Sequence, residues 1–75
     1  MMSPEFNRML EVILMKRENI RPSDFTKIYL TDYSRRNALR LCHAKGFIKL
    51  NQNGTFNMNE SKAKEISDLV AGGLL

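Results

Sequence analysis

One cysteine, one histidine, two prolines and no tryptophan occur in 75 residues. A single thiol excludes an internal disulfide framework, so the fold must be held by packing alone. It also fits a reducing compartment, and a cytoplasmic location is expected. Cys42 and His43 are adjacent and cannot supply the four ligands of structural zinc. No apolar run approaches the roughly 20 residues of a membrane span. The N-terminus has no basic stretch leading into an apolar core, so no signal peptide is expected. Glycine-rich phosphate-binding spacings and the His-Glu-x-x-His pattern are missing. No nucleophile–base pair is recognisable. The chain is therefore not expected to be an enzyme, and no cofactor, metal or small-molecule ligand is expected. A chain this short allows one domain over residues 1–75, with an ordered core from about residue 3 to about residue 71.

Acid is missing too, but only locally. The formal net charge is a modest +4. Residues 1–32 balance Arg8, Lys16, Arg17, Arg21 and Lys27 against Glu5, Glu11, Glu18, Asp24 and Asp32. Residues 60–75 set Lys62 and Lys64 against Glu60, Glu65 and Asp68. Between them, residues 33–59 carry Arg35, Arg36, Arg40, Lys45 and Lys49 and no acid at all. The middle third holds more than the whole positive excess. Clustering of this kind is the electrostatic footprint that a polyanion needs.

What is present reads as alternating helices and one hairpin. Ser3 can cap a helix with Pro4 in its first position and Glu5 at the positive end of its dipole. Phe6, Met9, Leu10 and Ile13 then share one face, and the helix is expected to run to about Arg17. Val12 and Met15 fall off that stripe. Asn19 to Pro22 breaks the helix, with Arg21 extended before proline and Ile20 buried. A second short helix is expected from Pro22 or Ser23, with Phe25 and Ile28 inward. Thr31 or Asp32 can cap a third helix over about Tyr33–Ala44, ended by Gly46. On that helix Ala38, Leu39 and Cys42 face the core. Tyr33, Arg36, Asn37, Arg40 and His43 face away, Leu41 fits neither side, and Arg35 leans coreward on a stem long enough to reach solvent.

Residues 47–50 and 55–58 read as a hairpin. A three-residue loop over 52–54 pairs 50 with 56 and 48 with 58. Ile48, Leu50, Phe56 and Met58 then share one face, whereas a two-residue turn would mix faces. The chosen register needs Gly54 in the left-handed conformation. Asn59 caps a last helix from Glu60, with Ala63, Ile66 and Val70 inward, Leu69 at the edge, and Gly72-Gly73 as its stop.

This order, with Leu39-x-x-Cys42-x-x-x-Gly46-Phe47-Ile48 as its most telling stretch, resembles the winged helix-turn-helix superfamily over roughly residues 5–70. Members often show Leu-x-x-Leu-x-x-x-Gly-aliphatic-Ile there. Cys42 replaces the second leucine and serves as a smaller buried hydrophobe. The resemblance implies an α+β, mainly α fold: a winged helix-turn-helix with a three-helix core, a two-stranded hairpin wing and a C-terminal helix.

It further implies a sequence-specific double-stranded DNA-binding protein, a small transcriptional regulator, associated with the nucleoid in a prokaryotic or viral setting. Helix 33–44 would enter the major groove and hairpin 47–58 would be the wing. Arg36 and Asn37 would read base edges, and Arg40 a base or a phosphate. Ser34 and Arg35 would lie near phosphates, and Tyr33 and His43 on the same exposed face. Lys49, Gln52 and Asn53 would bring the wing to the DNA. If five cations touched phosphates, log K would fall with log salt at a slope of about −4 to −5. One module contacts few bases, so a homodimer is expected, with Val12, Met15, Leu69, Leu74 and Leu75 as candidate dimer residues. The alternative is an interaction module that binds a protein and not DNA.

Overall fold

A computed structural model describes residues 3–73. Helix α1 spans Pro4–Lys16, α2 spans Asp32–Ala44 and α3 spans Ala63–Gly73; strands β1 (Ile48–Leu50) and β2 (Phe56–Met58) form an antiparallel hairpin. The domain is α+β and mostly helical.

The α1 helix begins as expected, because the Ser3 hydroxyl accepts the Phe6 N–H at 3.2 Å. Its inward stripe of Phe6, Met9, Leu10 and Ile13 is buried. Asn7, off the predicted stripe, is buried with them, and its Oδ1 has no hydrogen-bond partner among the described residues. The helix ends where Arg17 takes φ 64° and reverses the chain. That reversal lets the Arg17 carbonyl accept the Met58 N–H, tying α1 to the hairpin.

The expected second helix is corrected to one 3-10 turn over Pro22–Phe25. Asp24 caps the start of this turn. Its carboxylate accepts the Arg21 N–H at 2.7 Å and the Lys16 ammonium at 2.8 and 2.9 Å, which closes the turn onto α1. The Phe25 carbonyl then takes the N–H groups of both Ile28 and Tyr29, and the chain leaves helical geometry. The three-helix core expected before the hairpin is thus two helices and a turn. Phe25 still reaches the core and is fully buried, while Ile28 is half-buried.

Thr31 caps α2, its hydroxyl accepting the Ser34 N–H at 3.0 Å. At the far end Gly46 has φ 77°, its N–H reaches the His43 carbonyl and the Phe47 N–H reaches the Cys42 carbonyl. This is the paired-bond cap that a left-handed glycine permits. It sends Phe47 and Ile48 straight into the core, where both are buried.

The hairpin adopts the expected register, Ile48 with Met58 and Leu50 with Phe56. Gly54 closes its loop at φ 87°. Ile20, buried as expected, forms a two-way backbone bridge with Phe56 at 2.7 and 2.9 Å, so β2 is flanked on both sides. Ile48 and Met58 are core residues, but Leu50 is exposed and Phe56 half-buried, because the tip extends past the helices.

The last helix is preceded by a 3-10 turn over Glu60–Lys62, with the Asn59 side chain accepting from Ser61. Ile66 is fully buried; Ala63 and Val70 pack against the core. Gly72 and Gly73 are both helical, and α3 as described ends at Gly73. Gly73 is there for space. A Cβ on it would lie 2.4 Å from Asn7 Oδ1. Close approach of α3 to α1 is therefore what this glycine supplies.

Candidate nucleic-acid interface

Helix α2 presents two different flanks, and the residues expected on one exposed face divide between them. The Thr31 cap fixes its start, and the Gly46 cap fixes where the hairpin leaves it. The hairpin stands along one flank. On the other flank lie α1, α3 and the turn residues around Tyr29.

On the hairpin flank, Arg21, Arg35 and Arg36 line a cleft of about 600 Å³ with Asn53, Gly54 and Thr55 of the loop. Arg35 is half-buried, and its guanidinium donates to the Tyr29 carbonyl at 2.7 Å. That bond ties α2 to the chain end of the preceding turn. Arg36 Nε donates to Asp32 at 2.7 Å in an exposed pair one helical turn apart. Such pairs contribute little to stability and exchange readily for a stronger anion. Asp32, the last acid before the acid-free segment, therefore occupies part of the cleft. Arg40 follows one turn later and is exposed. His43 is also exposed, with its ring edge-on to Phe56, centroids 5.8 Å apart at 64°.

Two of the expected hairpin residues are placed differently from one another. Asn53 lines the cleft, but its Oδ1 is engaged by the Thr55 N–H and hydroxyl at 3.1 and 2.7 Å, which holds the loop closed. Gln52 lines a separate shallow pocket with Glu18, Asn19 and Asn57. Lys49 is exposed and alternates with the buried Ile48, so it projects from the hairpin face turned away from α2. The structure does not bring Lys49 together with the α2 arginines.

On the opposite flank, Tyr33, Ser34 and Asn37 line a largely apolar groove of about 650 Å³ with Phe6, Leu41 and Leu69. Ser34 is engaged locally: its hydroxyl donates to the Thr31 carbonyl at 3.0 Å and lies 2.7 Å from the Thr31 hydroxyl. Asn37 is half-buried, whereas Tyr33 is 77% exposed. Lys45 also lines this groove, away from the arginine cleft.

Sequence reading missed Arg21. Its signal was available only in combination: extended before Pro22, and next to Ile20, whose bridge to Phe56 carries it to the hairpin loop. Of the candidate dimer residues, Val12 is half-buried against the core, Met15 is 85% exposed and Leu69 is 38% exposed. Leu74 and Leu75 lie outside the described residues.

Cys42 is fully buried with its Sγ 3.9 Å from Met9 Sδ. Burial pushes its thiol up to about 12, with Lys45 pulling slightly the other way. It is a core side chain with no thiolate at neutral pH. Tyr29 is also raised, first by burial and then by the Cys42 and Glu5 charges. Among the described residues no group of three His, Cys, Asp or Glu side chains could hold a metal ion, and no helix is long and apolar enough to cross a membrane. Comparison with family models, curated proteins and solved structures finds no match to this chain.

Proposed function

We propose that the chain is a double-stranded DNA-binding protein, a small regulator of the winged helix-turn-helix kind, with α2 in the major groove and the hairpin as its wing. One observation carries this reading. Three arginines from two separate segments, Arg21 on one and Arg35 and Arg36 on the other, converge on one cleft beside the hairpin loop. Guanidinium groups on either side of a cleft at the start of a helix suit a phosphate backbone. Arg40, exposed on the next turn of α2, extends the same positive surface. In this reading Arg36 and Arg40 would reach guanine edges, since arginine donates two parallel hydrogen bonds to guanine.

A selection of bound duplexes from a random pool, at two salt concentrations, tests the reading. Enrichment of a motif, together with affinity that falls steeply with salt, is the expected result. Affinity that barely changes with salt would remove it. A homodimer remains part of the proposal, because one module contacts few bases. Light scattering on the free and bound protein checks that part.

The protein-binding alternative also has an observation in its favour. The groove on the other flank of α2 is apolar, open and unoccupied by any described segment of the chain.

A further inference from the structure

We infer that the groove beside α2 seats an acidic amphipathic helix of a partner protein. Ser34, Asn37, Ala38 and Leu41 line it from α2, and Lys45 from the residue that caps its end. Their spacing of three, four, seven and eleven residues is one continuous helical stripe, about 16 Å long at 1.5 Å per residue. Phe6 and Phe47 are buried and form the floor. Leu41 from α2 and Leu69 from α3 stand on its two sides, 47% and 38% exposed.

The shape selects the class of occupant. A small ligand needs roughly 70–90% of its surface enclosed to bind well. A trough whose sides are this exposed leaves one side of any occupant in water. A helix requires just that arrangement, burying one face and solvating the other, and about 16 Å is three helical turns of anchors. The charge selects its composition. No acidic residue lines the groove, and Lys45 stands at one end. A helix with leucine-like anchors and acidic flanks is complementary to that rim. A second copy of the chain offers no equivalent, since α1, α2 and α3 already bury their apolar faces in the shared core.

Tyr33, Ser34 and Asn37 line this groove on the flank of α2 away from the arginine cleft, so helix binding does not rest on the DNA reading.

The test uses the full chain and a fluorescent, helix-stabilised peptide of about four turns, with leucines at i, i+3, i+4 and i+7 and glutamates elsewhere. The expected result is saturable binding, with amide shifts confined to Ala38, Leu41, Lys45 and Leu69 and their neighbours. Leu41→Glu should weaken it by roughly tenfold or more. Lys45→Glu should weaken it and flatten its salt dependence, and a peptide with lysine in place of glutamate should bind less well. Both substituted positions are exposed, so the amide spectrum of each variant should remain that of a folded chain.

Absence of saturable binding, shifts mapping elsewhere, or Leu41→Glu binding as tightly as wild type would each overturn the inference. A homodimer dissolved by Leu41→Glu would also overturn it, making the groove an interface between copies. Peptide bound without DNA binding removes only the DNA reading; DNA bound without peptide removes only this one.

Discussion

Replacing Arg36 with alanine separates a nucleic-acid role from a structural one, because the structure gives the two roles different magnitudes. Structurally Arg36 holds only Asp32, and both side chains are more than 60% exposed. Loss of such a pair costs at most about 1 kcal/mol of folding stability. Electrostatically it is one of four arginines, with Arg21, Arg35 and Arg40, on the hairpin flank of α2. Lys45 lies on the groove flank and Lys49 on the far face of the hairpin, so the five-cation expectation from sequence does not survive unchanged. Four phosphate contacts give a slope of log K against log salt of about −3.6, and three give about −2.7. Between about 50 and 200 mM salt the wild-type affinity should then fall roughly 150-fold and that of Arg36→Ala roughly 40-fold. Fluorescence anisotropy on one labelled duplex across that range measures both slopes, with thermal melting as the control for folding. Lys49→Ala should leave the slope at its wild-type value. Equal slopes for wild type and Arg36→Ala, or a Lys49→Ala slope as shallow as that of Arg36→Ala, would refute the placement of the site.

Three further outcomes follow from the core. Ile66 anchors α3 with no exposed surface, so Ile66→Ala should lower the urea-derived unfolding free energy by about 2–5 kcal/mol, a large share of the roughly 4–11 kcal/mol expected for a domain of this size. Asn7→Leu removes a buried carbonyl oxygen that has no partner among the described residues; it should raise the melting temperature, by about 1 kcal/mol in stability, and a fall would mean that the amide is satisfied in solution. Cys42 has an ordinary value near 9 and is pushed up to about 12 in the fold. The unfolded chain therefore loses this proton first, and stability should decline by about 1.4 kcal/mol per pH unit from about pH 9 upward, being fully present below it. Denaturant titrations of wild type and Cys42→Ala at pH 8 to about 11 should show that slope only in the wild type, after allowance for Tyr29 in both.

The parts of the fold that were legible in sequence are those set by local parity and phase. Phe6, Met9, Leu10 and Ile13 announce their helix, and Ile48, Leu50, Phe56 and Met58 admit only one register that keeps them together. The misreadings occurred where one local signal serves two purposes. Pro22-Ser23-Asp24 opens a helix or a single turn with equal facility, and nothing within the segment chooses between them. Gly72-Gly73 can stop a helix or let it approach a neighbour, and the closeness of Asn7 to Gly73 shows the second use, which sequence alone did not reveal. A helical wheel correctly placed Arg36, Asn37, Arg40 and His43 outside the core, but could not divide that surface. The division comes from what flanks α2, the hairpin on one side and α1 with α3 on the other. Arg21 was invisible for the same reason, its place being fixed by the bridge of Ile20 to Phe56.

That division changes which residues can discriminate sequence under the DNA reading. Asn37 was paired with Arg36 as a reader of base edges, and an asparagine amide would favour adenine. It is half-buried and lines the apolar groove, so reaching a base edge requires the groove flank of α2 to turn toward the duplex. The arginine cleft would then be turned away. One docking angle cannot use both flanks fully, and the charge favours the arginine side, because phosphate attraction supplies most of the affinity. Specificity then falls to Arg36 and Arg40, and the preferred duplex should carry guanines spaced to match one turn of α2. Arg36 reads its guanine only by leaving Asp32, so Asp32→Asn should strengthen binding to the selected duplex more than it strengthens binding to a duplex lacking those guanines. Equal gains on both would mean that Arg36 meets only phosphate.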